Sequence, residues 1–243
     1  MKKFLAFTLA ETLIVMGIIG IVSALTLPNL NSSTGEKEKV AKVKKIYQNL
    51  DDAIGRATAV YGPVNEWFIN DNNATAQITR FGDRVTEFMK VSKNCGVTTN
   101  QRCFSNAQVK TINNGFGSAN DYDTQNNSYK FQVADGTSLS FTISDASTSA
   151  VLMSFNIDGP KGKNTIGNDV FSLIYNVSNN TIDIGTNYPA IEHILTTGTG
   201  QEAASWVINF DNMDYLKAGT DGKCKNSNVT LNALATVPVT SCK

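Results

Sequence analysis

Residues 4 to 30, FLAFTLAETLIVMGIIGIVSALTLPNL, constrain this chain more than any other stretch, because Glu11 is the only charged side chain among them. About 20 apolar residues cross the hydrocarbon core of a bilayer as a helix, so the stretch is predicted to span. Lys2 and Lys3 precede it and no basic residue follows until Lys37, which places Met1 in the cytoplasm and the remainder outside, as a single pass. An acid costs roughly 2.5 to 3.5 kcal/mol at the centre of an inserted helix, and somewhat less toward its end. A signal that is cut off and discarded gains nothing from that cost, and this run also exceeds the roughly 7 to 15 apolar residues of a secretory signal. The alternative is a plain signal segment, with small residues at Ser23 and Ala24, on a secreted or membrane-anchored binding protein. Glu11 is therefore expected to work. With no cation in the rest of the stretch, its partner is expected on another chain or at an amine created by cleavage.

The segment KKFLA followed by FTLAETLIVMGIIGIVSALTLP resembles the leader and first helix of type IV pilins and type II secretion pseudopilins. The resemblance implies a leader, residues 1–6, removed by a prepilin peptidase between Ala6 and Phe7, with the new amine methylated. The family usually has glycine before the cut, where this chain has Ala6. Glu11 then becomes the fifth residue of the mature chain and pairs with the Phe7 amine of a neighbouring subunit. Residues 7–30 are the transmembrane and assembly helix, and residues 31–243 an extracytoplasmic domain. Pro28 lacks an amide hydrogen and meets the carbonyl of Ala24, so a kink or local melting is expected between Gly20 and Pro28. The implied partners are the peptidase, other pilin or pseudopilin subunits, an assembly platform with a separate ATPase, and the bacterial inner membrane. The filament lies in the periplasm or at the cell surface. A low-copy pilin for adhesion or DNA uptake is the alternative within the family.

Beyond the apolar run, Val40, Val43, Ile46, Leu50, Ile54, Ala57 and Tyr61 recur at spacings of three and four, the mark of an amphipathic helix. Gly62 and Pro63 stop it. A second such face, Ile78, Phe81, Val85, Phe88 and Met89, predicts a helix over about 75–91. The runs SYKFQVA, TSLSFTIS, AVLMSFNID, VFSLIYNV and TIDIG alternate and are separated by turn residues, so they predict a meandering antiparallel sheet. Ala203, Trp206, Val207, Phe210 and Met213 predict a further helix. The expected fold is α+β and pilin-like: a long amino-terminal helix, membrane-spanning in its first half and amphipathic in its second, packed on an antiparallel β-sheet.

The 21 basic and 21 acidic side chains balance and are scattered, so no nucleic-acid footprint is present. Cys95, Cys103, Cys224 and Cys242 contain no Cys-x-x-Cys pair, which favours disulfides over zinc. Three connectivities are open. The two sequence-local ones would each contribute roughly 2 to 4 kcal/mol and require an oxidising compartment. In the resembling family a disulfide-bounded carboxy-terminal region faces neighbouring subunits or solvent. A single histidine, His193, leaves little basis for a Ser-His or Cys-His catalyst, and no phosphate loop is present, so no enzyme, no catalytic residue and no cofactor is expected. Asn156, Asp158, Asn164 and Asp169 offer oxygens for calcium, but turn chemistry explains the same residues and no metal is assigned. Residues 115–129 are expected to form an exposed loop carrying Phe116 and Tyr122.

Overall fold

The computed structural model describes the chain except residues 1–7, 69–72, 106–108, 113–121, 126, 144–149, 162–163, 185–189, 197–199 and 201, and the side chains of 24–33 and 190–192. It divides into two compact units, Met1–Glu38 and Lys39–Lys243, and the boundary falls inside the first helix, α1, Leu9–Tyr61.

In the second unit, α1 presents Val43, Ile46, Leu50, Ala53 and Ala57 at helical spacing, all fully buried. They face a six-stranded antiparallel sheet in sequential order: β1 Val91–Gly96, β2 Ser128–Val133, β3 Ser138–Thr142, β4 Ala150–Asn156, β5 Val170–Asn176 and β6 Thr181–Asp183. Alternation sends Tyr129, Phe131, Leu139, Phe141, Val151, Met153, Phe155, Phe171, Leu173 and Tyr175 into that same core. A 3-10 turn, Val64–Phe68, and α2, Ala74–Thr86, extend it, with the Phe81 ring edge-on to Phe141 at 5.3 Å. Asn73 caps α2, its Oδ1 accepting from the amides of Thr75 at 3.0 Å and Ala76 at 3.3 Å.

Part of the opposite sheet face is buried as well, although its buried residues are polar, while Leu152 and Ile174 on the same face stay exposed. Lys130, Ser140, Ser154 and Ser172 pair in register across four strands. Ser128 and Ser140 hydroxyls lie 3.0 Å apart, and Ser154 and Ser172 hydroxyls 3.1 Å. A second apolar cluster of Phe104, Val109, Tyr122, Ile166 and Val170 belongs to this side. Mutual hydrogen bonding is what makes a buried serine row tolerable. The carboxy-terminal part adds α3, Ala190–Thr196, α4, Ala203–Phe210, and a 3-10 turn, Asp214–Lys217.

The expected pilin-like architecture with a membrane-spanning half-helix is corrected. Among the described residues no helix is long and apolar enough to cross a membrane. Glu11 stands within the exposed apolar side chains from Leu9 to Val22. From Thr34 onward α1 turns polar, with Glu36, Lys37 and Glu38 in succession. Nor does the chain melt at its proline, since it stays helical from Gly20 through Pro28.

Candidate functional site

The first unit begins with a reciprocal cap. The Thr8 amide and hydroxyl both donate to Glu11 Oε2, at 2.9 and 2.8 Å, while the Glu11 amide donates back to Thr8 Oγ1 at 3.2 Å. This is a capping box, which satisfies orphan donors at a helix start. The signal for it, Thr-x-x-Glu ahead of an apolar run, stands openly in the sequence, and it gives the acid a partner within its own chain besides the one expected on another. Among the described residues, these hydrogen bonds engage Oε2 and none engages Oε1. Ala6 and Phe7, the expected processing pair, lie outside the described residues.

Behind the cap, three rows of side chains run along the helix: Leu9, Leu13 and Met16; Ile14, Ile18 and Ile21; Val15, Ile19 and Val22. Each of these is at least half exposed, from 50% at Val15 to 79% at Leu9. A helix apolar on every side and open on every side has no core of its own to join, and its surface calls for lipid or other helices. A Cβ at Gly17 or Gly20 would meet nothing within 4 Å, so neither glycine is used for packing within the chain.

In the second unit the four cysteines form two bonds, Cys95 with Cys103 and Cys224 with Cys242. Each bond lies beside a buried aspartate that sequence reasoning missed. Asp123 accepts from the amides of Arg102 at 2.7 Å, Cys103 at 3.0 Å and Phe104 at 3.2 Å. Asp214 accepts from the Cys242 amide at 2.8 Å and the Ser241 hydroxyl at 2.9 Å, and Lys217 donates to its other oxygen. Burial pushes the Asp214 carboxyl up, but the Lys217 ammonium, the Cys242 amide and the Ser241 hydroxyl outweigh it and hold the group below the ordinary aspartate value.

The remaining candidates are dispersed. His193 Nδ1 lies 4.0 Å from Glu202 Oε1, and burial, opposed by the nearby His193, raises the Glu202 carboxyl. Asp169 is held by Lys39 at 2.9 Å, and Asn156 Nδ2 donates to Asn164 Oδ1 at 2.7 Å, so three of the four calcium candidates serve other partners. Among the described residues no three His, Cys, Asp or Glu side chains converge on a metal position. Tyr122, expected on an exposed loop, is instead buried against Phe104, with ring centroids 4.7 Å apart. Burial raises its phenol, against hydrogen bonds with Ser154 and Ser172. Phe116 lies outside the described residues. An open groove of about 530 Å³ between α1 and the β1–β2 edge holds paired charges, Lys45 with Asp135 at 2.7 Å and Arg56 with Asp52 at 3.0 Å. Comparison with protein-family models, with curated proteins and with solved structures gives no match for this chain.

Proposed function

We propose that this chain is a structural subunit of a type IV pilus or type II secretion pseudopilus, polymerised through its amino-terminal apolar residues and without catalysis of its own. The reading rests on those residues and not on the architecture of the second unit. The observation that carries it is the helix surface from Leu9 to Val22, apolar and exposed around its whole circumference behind the Thr8–Glu11 cap. Prepilin peptidase cuts between Ala6 and Phe7, and the freed amine is methylated. Before assembly the apolar surface is held by the bacterial inner membrane. In the filament, in the periplasm or at the cell surface, neighbouring subunits hold it instead. An assembly platform and a separate ATPase supply the work. The two disulfides fit an oxidising compartment outside the inner membrane.

Glu11 takes two roles in this scheme. Its Oε2 closes the cap within its own chain, and the carboxylate meets the Phe7 amine of the next subunit, each group offsetting the other's desolvation in an apolar surround. Mass spectrometry of the mature amino terminus is the direct test. A chain starting at Phe7 with a methylated amine is the expected result, and an intact Met1 or a start at Leu25 overturns the proposal in favour of a plain signal segment. Glu11→Ala is expected to leave the second unit folded and to reduce incorporation into filaments.

A further inference from the structure

We infer that Asp123 and Asp214 are positioning residues for disulfide closure: each carboxylate docks the backbone amide of the second cysteine of its pair and so brings that thiol to its partner before the bond forms. The two sites were built by unrelated stretches of chain, yet they share one geometry. A buried aspartate accepts the amide of Cys103 at 3.0 Å in one and of Cys242 at 2.8 Å in the other. Both aspartates are nearly inaccessible, 1% exposed at Asp123 and 2% at Asp214.

In each case a second element grips the other end of the arrangement. For the carboxy-terminal pair, the chain leaving the Asp214 turn holds the first cysteine: Lys225 N donates to Lys217 O at 2.9 Å, and Ala218 bridges Cys224. The short segment 214–218 thus contacts both cysteines of the pair. For the other pair, β2 does so. Cys95 lies in β1 at an irregularity in its pairing with β2, between Asn94↔Phe131 and Gly96↔Lys130. From β2, Gln132 Nε2 donates to the carbonyls of Arg102 at 3.0 Å and Cys103 at 3.1 Å. Asn100 and Arg102 carry positive φ, 58° and 57°, a backbone that three amides converging on Asp123 hold in place. Nothing in this arrangement requires the sulfur–sulfur bond itself, so it can exist in the reduced chain.

Closure joins the two sulfurs of a pair and passes two electrons and two protons to a disulfide donor, which becomes two thiols. With oxidised glutathione as that donor, the equilibrium between the reduced and closed pair reads the effective concentration of one thiol at the other. A charge-assisted hydrogen bond to a buried carboxylate is worth roughly tenfold or more in such an equilibrium.

The test uses the full chain in detergent, reduced and then equilibrated in glutathione buffers, with each pair scored by thiol alkylation and peptide mass spectrometry. Asp214→Asn is expected to lower closure of Cys224–Cys242 by about tenfold and leave Cys95–Cys103 unchanged, and Asp123→Asn to do the reverse. Ser241→Ala, which removes one donor and keeps the carboxylate, is expected to leave both pairs near their original values. Equal losses at both pairs in either aspartate variant indicate general unfolding and overturn the inference, as does no loss at the variant's own pair. The amino-terminal mass and the filament assay do not enter this readout, so it stands or falls apart from the proposed function.

Discussion

The ring of Tyr129 occupies the space in front of Gly82, where an added Cβ would come within 2.2 Å of its Cγ. Gly82→Ala gains about 1 kcal/mol of helix propensity, yet Tyr129 is 1% exposed and has nowhere to go. The net result expected is a loss of about 1 to 3 kcal/mol, seen as a lower urea midpoint by tryptophan fluorescence with an unchanged slope. Tyr175 carries a different kind of prediction. Burial, with the charge of Asp51 adding to it, pushes its phenol up to about 12. The folded chain therefore keeps its proton after the unfolded chain, near pH 10, has released it, and the resulting stability is full below pH 10 and lost as pH rises toward 12. Tyr175→Phe is expected to flatten the fall of stability with pH in that window by about one proton, and an unchanged slope would refute the assignment. At this scale the sequence was legible where a signal is local. Thr8 and Glu11 are three residues apart and form a recognisable box, whereas Asp123 and Asp214 act on amides 20 and 28 residues away. No pattern along the chain marks a contact whose two ends are brought together only by the fold.

Elements were legible to the degree that their own periodicity reports burial. The five alternating runs correspond to β2 through β6, and the spacing of Val43, Ile46, Leu50 and Ala57 to the buried face of α1. β1 was hidden, because Val91–Gly96 is an edge strand whose central residues are exposed and whose pairing with β2 slips twice, so Ser92, Lys93 and Asn94 show no alternation. The helix expected to about residue 91 ends at Thr86; Phe88 and Met89 pack on the core from the following turn, and their partial burial mimics one more helical turn. The polar sheet face was unreadable for the opposite reason. Ser128, Ser140 and Ser154 sit in their strands as a solvated face would, yet all three are buried, with Tyr122 hydrogen-bonded to Ser154. The start of α2 offers a clean measurement. Asn73 Oδ1 serves two amides at the helix start, so Asn73→Ala is expected to cost about 1 kcal/mol, and Asn73→Ser to recover most of it, in the same urea titration.

The whole molecule joins two units with opposite solutions to the same problem. Lys39–Lys243 buries most of its large apolar side chains in a core shared by α1 and the sheet and holds two loops with disulfides. Among the described residues of Met1–Glu38 no side chain is buried, and the apolar ones from Leu9 to Val22 remain exposed. Self-association should then belong to the first unit and stability to the second. A chain beginning at Thr34 tests the division, because the cut removes the exposed apolar rows while keeping Lys39, whose ammonium holds Asp169 at 2.9 Å. Thr34 also supplies an N-cap hydroxyl, with Glu36 in the first turn to favour the new helix start. The shortened chain is expected to be monomeric without detergent by light scattering, to form both disulfides, and to unfold at the midpoint of the full chain. If it associates as the full chain does, the rows from Leu9 to Val22 are not the assembly surface, since the associating residues must then lie on the second unit.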